Sequence, residues 1–181
     1  MRITINGIPG SGKSTAASWL AKKLKLKYYG MGKMRRELAK EKGMSLEEFN
    51  KLGEREKWTD TLVDDFQKNL RNSDNFIADG RLSWYFIPNS IKIFLLVKPE
   101  IGAKRIFNEK RKEEKYGNEK KELKSLKERL KSDIKRYSKI YGIKNYYDIK
   151  NYDIVIDTSY LTIPQMDNAI LGAISKYSNV G

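Results

Sequence analysis

The segment that most constrains the fold is a glycine-rich stretch at residues 7–14, which has the sequence GIPGSGKS. It fits the pattern G-x-x-x-x-G-K-[ST], which is typical of the phosphate-binding P-loop. Residues 1–6 before it predict a short buried strand, and residues 13–24 after it have apolar side chains at helical spacing. A P-loop joins a strand to a helix, so both flanks agree with the motif. The alternative is a chance glycine-rich turn between the same two elements.

The chemistry of this motif assigns roles to its backbone and side chains. The glycines let several backbone N–H groups point at one anion, and the following helix N-terminus adds positive potential. We expect Lys13 to reach the β- and γ-phosphates of ATP and the Ser14 hydroxyl to ligate Mg²⁺. The predicted ATP-binding positions in the loop are Gly7, Ile8, Pro9, Gly10, Ser11, Gly12, Lys13, Ser14 and Thr15.

Composition excludes several kinds of site. The 181 residues, enough for one domain, include neither cysteine nor histidine, which excludes disulfides, thiolate metal sites and histidine-based catalytic triads. The chain has no apolar stretch long enough to span a membrane, and we expect no signal peptide before the first strand. We expect a cytoplasmic protein with no membrane partner, and we expect it to be a monomer. The remaining side chains and a bound ion suffice for phosphoryl transfer.

The net charge of +14 is concentrated in one region. Residues 104–144 contain 16 basic and 7 acidic residues, a net charge of +9. Such a region can bind nucleic acid, or it can attract small polyanions such as nucleotides. Its lysines are interspersed with glutamates and leucines along a predicted helix, which is more typical of a solvated face. No arginine-rich or aromatic-interleaved strip is present, so we do not expect a nucleic-acid partner.

Strand and helix patterns alternate along the chain. This alternation predicts an α/β protein with a three-layer P-loop fold, in which helices cover both faces of a five-stranded parallel sheet. The expected core comprises residues 1–29, 73–109 and 143–181. We predict two helical insertions, an NMP-binding insertion at about 30–72 and a lid with a long helix at about 110–142. The predicted strands lie at 1–6, 25–29, 75–79, 91–97 and 153–157.

The insertion between the second and third strands narrows the choice among P-loop proteins. GTP-binding switches and nucleic-acid motors do not usually have a compact helical pair there, whereas nucleoside monophosphate kinases need one to bind a second nucleotide. Further stretches support this class: RITI at 2–5, RELA at 36–39, GMSLEEF at 43–49, DGRLS at 79–83, KRY at 135–137, IYGI at 140–143 and VIDTS at 155–159. Together with the P-loop they span nearly the whole chain, and the sequence resembles the short archaeal-type cytidylate kinases.

The resemblance implies transfer of the γ-phosphoryl group of ATP to CMP or dCMP with Mg²⁺. It implies that Arg36 and Arg81 bind the acceptor phosphate, with Arg35 as the neighbour that could replace Arg36. Ser14 and Asp79, which ends a predicted strand, would organise the Mg²⁺. Another acceptor, AMP or UMP, is one alternative, and a nucleic-acid-associated P-loop ATPase is a more distant one. Two arginines would close a lid over the ATP phosphates, namely Arg105 and Arg111.

Three charged residues on the predicted long helix form a further candidate group. Arg129, Asp133 and Arg136 are spaced i, i+4, i+7 and share a face roughly 90° from the apolar stripe. We expect this face to look into the cleft. In cytidylate kinases the same trio contacts the acceptor ribose and the transferring phosphates; a surface ion-pair ladder is the alternative. With Lys13 and Asp79, the arginines of this trio complete the expected catalytic set.

The sequence also departs from the larger bacterial cytidylate kinases. Their additional base-reading insert is absent, and Met31 and Leu82 stand where those enzymes have serine and aspartate. Base recognition must therefore use other groups. Trp58, Trp84 and Tyr85 could stack on a base, although we expect them to pack in the core. In the helix predicted at about 56–72, the apolar stripe consists of Trp58, Leu62, Phe66 and Leu70.

Overall fold

The computed structural model describes residues 1–109 and 118–180. The strands in these ranges are β1 (Arg2–Gly7), β2 (Lys27–Gly30), β3 (Phe76–Asp79), β4 (Ile91–Leu96) and β5 (Ile154–Asp157). The α-helices are α1 (Lys13–Leu24), α2 (Met31–Glu41), α3 (Leu46–Gly53), α4 (Trp58–Asn69), α5 (Ser83–Phe86), α6 (Pro99–Asn108), α7 (Glu119–Tyr141) and α8 (Ile163–Val180).

The five strands form one parallel sheet in the order β2-β3-β1-β4-β5. Its central strand β1 is buried on both faces, and Ile3 and Ile5 are fully buried. The register pairs Ile5 with Asp79 of β3, so the carboxyl ends of the two strands lie side by side. This arrangement confirms the predicted fold class, and it places Asp79 beside the P-loop because ligand crevices form at these strand ends.

Helices cover both faces of the sheet and define two apolar clusters. One cluster joins the sheet to α1 and α8. The other joins β3 to the helices α2, α4, α5 and α7. None of the helices in the described ranges has the length and apolar character needed to cross a bilayer.

The second strand begins two residues later than predicted because the preceding helix ends with its own cap. Lys25 adopts a left-handed conformation with φ 55°, and the Leu26 N–H donates to the Ala21 carbonyl at 2.8 Å. These contacts complete the C-terminus of α1 and keep both residues out of the sheet. The next helix begins directly at Met31, so Arg36 lies in its second turn.

Three helices lie between β2 and β3, where an insertion was predicted. The capping box of α3 is present: the Ser45 hydroxyl accepts from the Glu48 N–H at 3.2 Å, and the Ser45 N–H donates to the Glu48 carboxylate at 2.8 Å. The predicted apolar stripe of α4 is wrong at its start, because Trp58 is 42% and Leu62 is 56% exposed. Residues four apart advance by about 40° around a helix at each step, so such a series leaves the buried face.

Candidate active site

The loop between β1 and α1 has the geometry of an anion-binding loop. Gly10 and Gly12 have φ angles of 81° and 83°, which favour glycine, and a Cβ at Gly10 would lie 2.3 Å from the Gly102 carbonyl oxygen. No side chain caps the N-terminus of α1, and its first turn contains no acidic residue. The backbone N–H groups at this helix end therefore suit an external anion such as a phosphate.

Lys13, Ser14 and Asp79 meet at the mouth of this loop. The Lys13 Nζ donates to the Ile8 carbonyl at 3.3 Å, and the Ser14 Oγ donates to the Asp79 Oδ2 at 2.5 Å. Asp79 is almost completely buried but borders the cleft described below. A hydroxyl and a carboxylate beside a phosphate-binding loop form an oxygen donor set of the kind that Mg²⁺ uses together with phosphates and water. These residues therefore fit the ion.

Tyr28 is a member of this group that the sequence motifs did not identify. Its hydroxyl donates to the Asp79 Oδ1 at 3.2 Å, so the two carboxylate oxygens of Asp79 accept from different side chains. Burial, together with the neighbouring carboxylate of Asp79, raises the pKa of Tyr28 to about 12. Tyr28 is thus a neutral donor that orients Asp79 at physiological pH. An aromatic residue in a short strand has no motif that indicates this role.

One cleft, called the central cleft below, extends from the P-loop to α2, α4 and α7. Its walls include these predicted site residues: Pro9, Gly10, Gly12, Lys13, Ser14, Thr15, Arg36, Asp79, Arg81 and Arg129. Gly7 and Ser11 are buried within the same loop, and Ile8 is partly buried beside them. Arg35 also borders the cleft, but it is 7% exposed whereas Arg36 is half-buried. The central cleft is therefore bordered by Arg35, Arg36, Arg81 and Arg129.

Two of these arginines, Arg35 and Arg81, belong to a buried network of ion pairs. Asp133 lies 2.6 Å from the Arg81 Nε, and the Arg136 Nη2 donates to its other oxygen at 3.0 Å. Asp60 lies 2.8 Å from the Arg35 Nη1 and 3.1 Å from the Arg136 Nε. The Arg81 contact is an ion pair without hydrogen-bond alignment. The network joins α2, α4 and α7 to the loop after β3, and thereby fixes Arg81 at the edge of the cleft.

The trio on α7 is divided between the cleft and this network. Arg129 borders the cleft, whereas Asp133 and Arg136 are each 1% exposed. The expectation of a cleft-facing trio is therefore met by Arg129 only. The physical reason is that α3 and α4 cover this side of α7: Gly53 and Asp60 both lie against Arg136. In this structure Asp133 and Arg136 lie in the ion-pair network, and their contact with a substrate stays a prediction.

Arg105 lies apart from the central cleft and binds the loop after β5. Its guanidinium donates to the Thr158 carbonyl at 2.7 Å and to the Thr158 Oγ1 at 3.2 Å. That hydroxyl in turn lies 3.0 Å from the Ser11 carbonyl, so Arg105 connects the P-loop to the end of β5. Its contact with ATP phosphates stays a prediction. Arg111, the second expected lid arginine, lies outside the described residues.

The buried face of α4 is the largest feature of the site that sequence reasoning missed. Asp60, Asp64 and Gln67 are buried and border the central cleft. Burial raises the pKa of Asp64 to about 6, although a hydrogen bond from the Tyr141 hydroxyl opposes the shift. The i, i+4, i+7 spacing of these polar residues was the available signal.

Of the three aromatic residues considered as stacking surfaces, two are exposed and one is partly buried. Trp58 and Tyr85 are 42% and 40% exposed, so the expectation that they pack in the core is wrong. Trp84 is partly buried, and its ring packs edge-on against Tyr152 with centroids 5.7 Å apart. None of these three rings borders the central cleft.

Comparison with known proteins decides among the classes of P-loop protein. The model of the cytidylate kinase-like family matches residues 2–160. The chain belongs to this family. It is 36% identical to the cytidylate kinase of Methanocaldococcus jannaschii, with 97% of this chain and 98% of that protein covered. The cytidylate kinase of Archaeoglobus fulgidus is 34% identical, with 96% and 94% covered.

Solved structures agree at the level of the fold. The shikimate kinase of Aquifex aeolicus superposes with a TM-score of 0.62 at 20% identity and covers 100% of both chains. The shikimate kinase of Bacteroides thetaiotaomicron superposes with a TM-score of 0.66 at 13% identity and covers 98% of both chains. The kinase family and the fold thus agree with a P-loop phosphotransferase.

Proposed function

We propose that the protein transfers the γ-phosphoryl group of ATP to CMP or dCMP, producing ADP and CDP or dCDP. The observation that supports this most directly is the central cleft. A P-loop suited to the phosphates of one nucleotide shares this cleft with Arg36, Arg81 and Arg129, which are suited to the phosphate of a second. Family membership supports the same reaction, since the relatives from both archaea are cytidylate kinases.

At the donor end, the chain supplies fixed positive groups for the polyphosphate. The backbone N–H groups of the P-loop and the Lys13 ammonium hold the β- and γ-phosphates. Ser14 and Asp79 would hold Mg²⁺, which when bound neutralises charge on the β- and γ-phosphate oxygens. Tyr28 keeps the Asp79 carboxylate oriented toward this position.

At the acceptor end, Arg36 and Arg81 bind the phosphate of CMP and Arg129 lies between the two nucleotides. An oxygen of the CMP phosphate attacks the γ-phosphorus, a new P–O bond forms, and the bond to the β,γ-bridging oxygen breaks as ADP leaves. No general base is needed because the attacking oxygen is already anionic. Asp133 and Arg136 contribute indirectly, by fixing Arg81. We assign residues of about 30–72 to acceptor binding and residues of about 110–142 to a lid and long helix.

The proposal is tested by measuring ADP formation with a panel of nucleoside monophosphates and deoxynucleoside monophosphates. We expect the highest kcat/KM for CMP and dCMP, and complete loss of activity when EDTA removes divalent ions. A clear preference for AMP or UMP would assign the chain to a different acceptor class. ATP hydrolysis that RNA or DNA stimulates, without phosphorylation of any monophosphate, would overturn the proposal.

Arg36→Ala provides a test of the acceptor end. We expect the KM for CMP to rise by about 10- to 100-fold, because a charge-assisted contact to a phosphate is lost, while the KM for ATP changes by less than about twofold. Steady-state kinetics with each substrate varied in turn measures both values. Lys33→Ala is the matched control, since Lys33 is an exposed cation on the same helix. Equal increases in the two KM values contradict the assignment.

A further inference from the structure

The buried face of α4 is unusual because it consists mostly of polar side chains. Asp60, Asp64 and Gln67 are 5%, 8% and 3% exposed, and all three border the central cleft. Buried carboxylates and amides are costly unless they have hydrogen-bond partners. The partners already present in the protein therefore show which of these atoms remain available to a ligand.

The internal partners leave one acceptor and one donor available. Asp60 uses both oxygens, one for Arg35 and one for Arg136. Asp64 accepts from the Tyr141 hydroxyl with its Oδ2, and Gln67 accepts from the Ser83 hydroxyl with its Oε1 at 2.8 Å. Within residues 1–109 and 118–180, no side chain or backbone group bonds to the Asp64 Oδ1 or to the Gln67 amide nitrogen.

These two atoms lie where the base of the acceptor should lie. Asp64 and Gln67 are spaced i, i+3, so they lie one turn apart on the same side of α4. The apolar side chains of Met31, Val63 and Leu82, which belong to one buried cluster, form a further part of the cleft wall. An acceptor with its phosphate at the arginines and its ring in this apolar part would direct the edge of its base at α4.

We propose that Asp64 and Gln67 recognise the base of the acceptor as an aminopyrimidine. The Asp64 Oδ1 accepts a hydrogen bond from the exocyclic 4-amino group, and the Gln67 amide nitrogen donates to ring atom N3. The inference rests on the function proposed above and assigns the base selectivity of that site to these two side chains.

The proposed pairing discriminates between the two pyrimidines. Cytosine presents an amino donor next to a ring-nitrogen acceptor, which complements a carboxylate next to an amide N–H. Uracil presents a carbonyl oxygen next to a ring N–H. Its carbonyl oxygen would therefore face the Asp64 carboxylate, and its ring N–H would face the Gln67 amide N–H. An unfavourable oxygen–oxygen contact with a carboxylate in a buried site disfavours the wrong base more than the loss of one hydrogen bond alone would.

The charge of Asp64 makes the expected preference for CMP over UMP depend on pH. Burial raises its pKa to about 6, so Asp64 is ionised at pH 7.5 and protonated at lower pH. The groups that face it are Tyr141 from α7, Asp60 and Lys68 from its own helix, and Arg35 from α2. Protonation removes the acceptor for the 4-amino group and supplies a donor for a carbonyl. The preference for CMP over UMP should therefore fall as the pH decreases through about 6.

The experiment compares kcat/KM for CMP and UMP in the wild type, Asp64→Asn and Gln67→Leu. In Asp64→Asn we expect the CMP-to-UMP ratio to fall by about 10- to 100-fold, with UMP used better than by the wild type, because the asparagine amide can donate to the uracil carbonyl. We expect Gln67→Leu to lower the ratio by a smaller factor. The ratio does not depend on the fraction of folded enzyme, so partial destabilisation of a variant does not affect it.

Asp65→Asn is the matched control, since Asp65 is the exposed neighbour of Asp64 on α4 and pairs with Lys68. Its ratio should stay within about twofold of the wild type. If the wild type phosphorylates CMP but neither Asp64→Asn nor Gln67→Leu changes the ratio, the inference is overturned and the proposed function stands. A wild-type ratio that stays constant across pH 5.5–8, an interval that brackets the Asp64 pKa of about 6, also overturns the inference. If the wild type phosphorylates no monophosphate, the proposed function fails, and the inference fails with it.

Discussion

Lys13→Ala should lower kcat by about 10³-fold or more while the protein remains folded. In the proposed reaction, the ammonium of Lys13 is the cation that the P-loop directs at the transferring group, and removal of one such group from a preorganised site typically costs several orders of magnitude. Lys13 is partly exposed, and its Nζ donates to the Ile8 carbonyl at 3.3 Å. Its truncation therefore leaves no cavity in the core.

Single-turnover and steady-state measurements of CDP formation give the loss in kcat, and the circular dichroism spectrum and melting temperature report the fold. Lys23→Ala is the control, because Lys23 is an exposed lysine in the last turn of the same helix. It should retain wild-type kcat. An active Lys13→Ala enzyme would refute the assignment of the donor site, whereas an inactive and unfolded one would contradict the claim that Lys13 acts on phosphate alone.

The donor half of the site was predictable because its determinants are local. The positive φ angles at Gly10 and Gly12 require glycine, and the loop, its strand and its helix are consecutive in sequence. The register that brings Asp79 beside β1 follows from parallel pairing of strands whose ends carry polar residues. The start of β2 moved by two residues, because the left-handed conformation of Lys25 and the hydrogen bond from Leu26 to Ala21 cap α1 before the strand begins.

The acceptor half was less predictable because its determinants are distant in sequence. Periodicity placed Arg129, Asp133 and Arg136 on one face of a helix, but it could not tell which part of that face α3 and α4 would cover. The polar face of α4 was missed for the same reason, because its burial depends on contacts from other helices. Asp60 and Asp64 are buried because Arg35 and Tyr141 approach from other helices, and the sequence of α4 alone favours the apolar stripe.

Asp133→Ala should destabilise the fold by about 3–5 kcal/mol, because it leaves two buried guanidinium groups without their shared carboxylate. Asp133 contacts both Arg81 and Arg136, and Arg136 and Asp133 are each 1% exposed. For a chain of this length the melting temperature should fall by about 10 °C. Urea denaturation gives the free energy of unfolding directly, and a constant slope of that free energy against urea concentration would show that the unfolded states are comparable.

The matched control is Asp65→Ala, which removes a carboxylate from an exposed ion pair with Lys68 and should cost less than about 1 kcal/mol. Asp133→Asn separates position from charge: it retains the shape of the side chain but weakens its hold on Arg81. We expect that variant to raise the KM for CMP more than the KM for ATP, because Arg81 borders the cleft and is proposed to bind the acceptor phosphate. If Asp133→Ala is no more destabilising than Asp65→Ala, the ion pairs behind the cleft do not support the fold. If Asp133→Asn leaves both KM values unchanged, Asp133 does not position Arg81 for the acceptor.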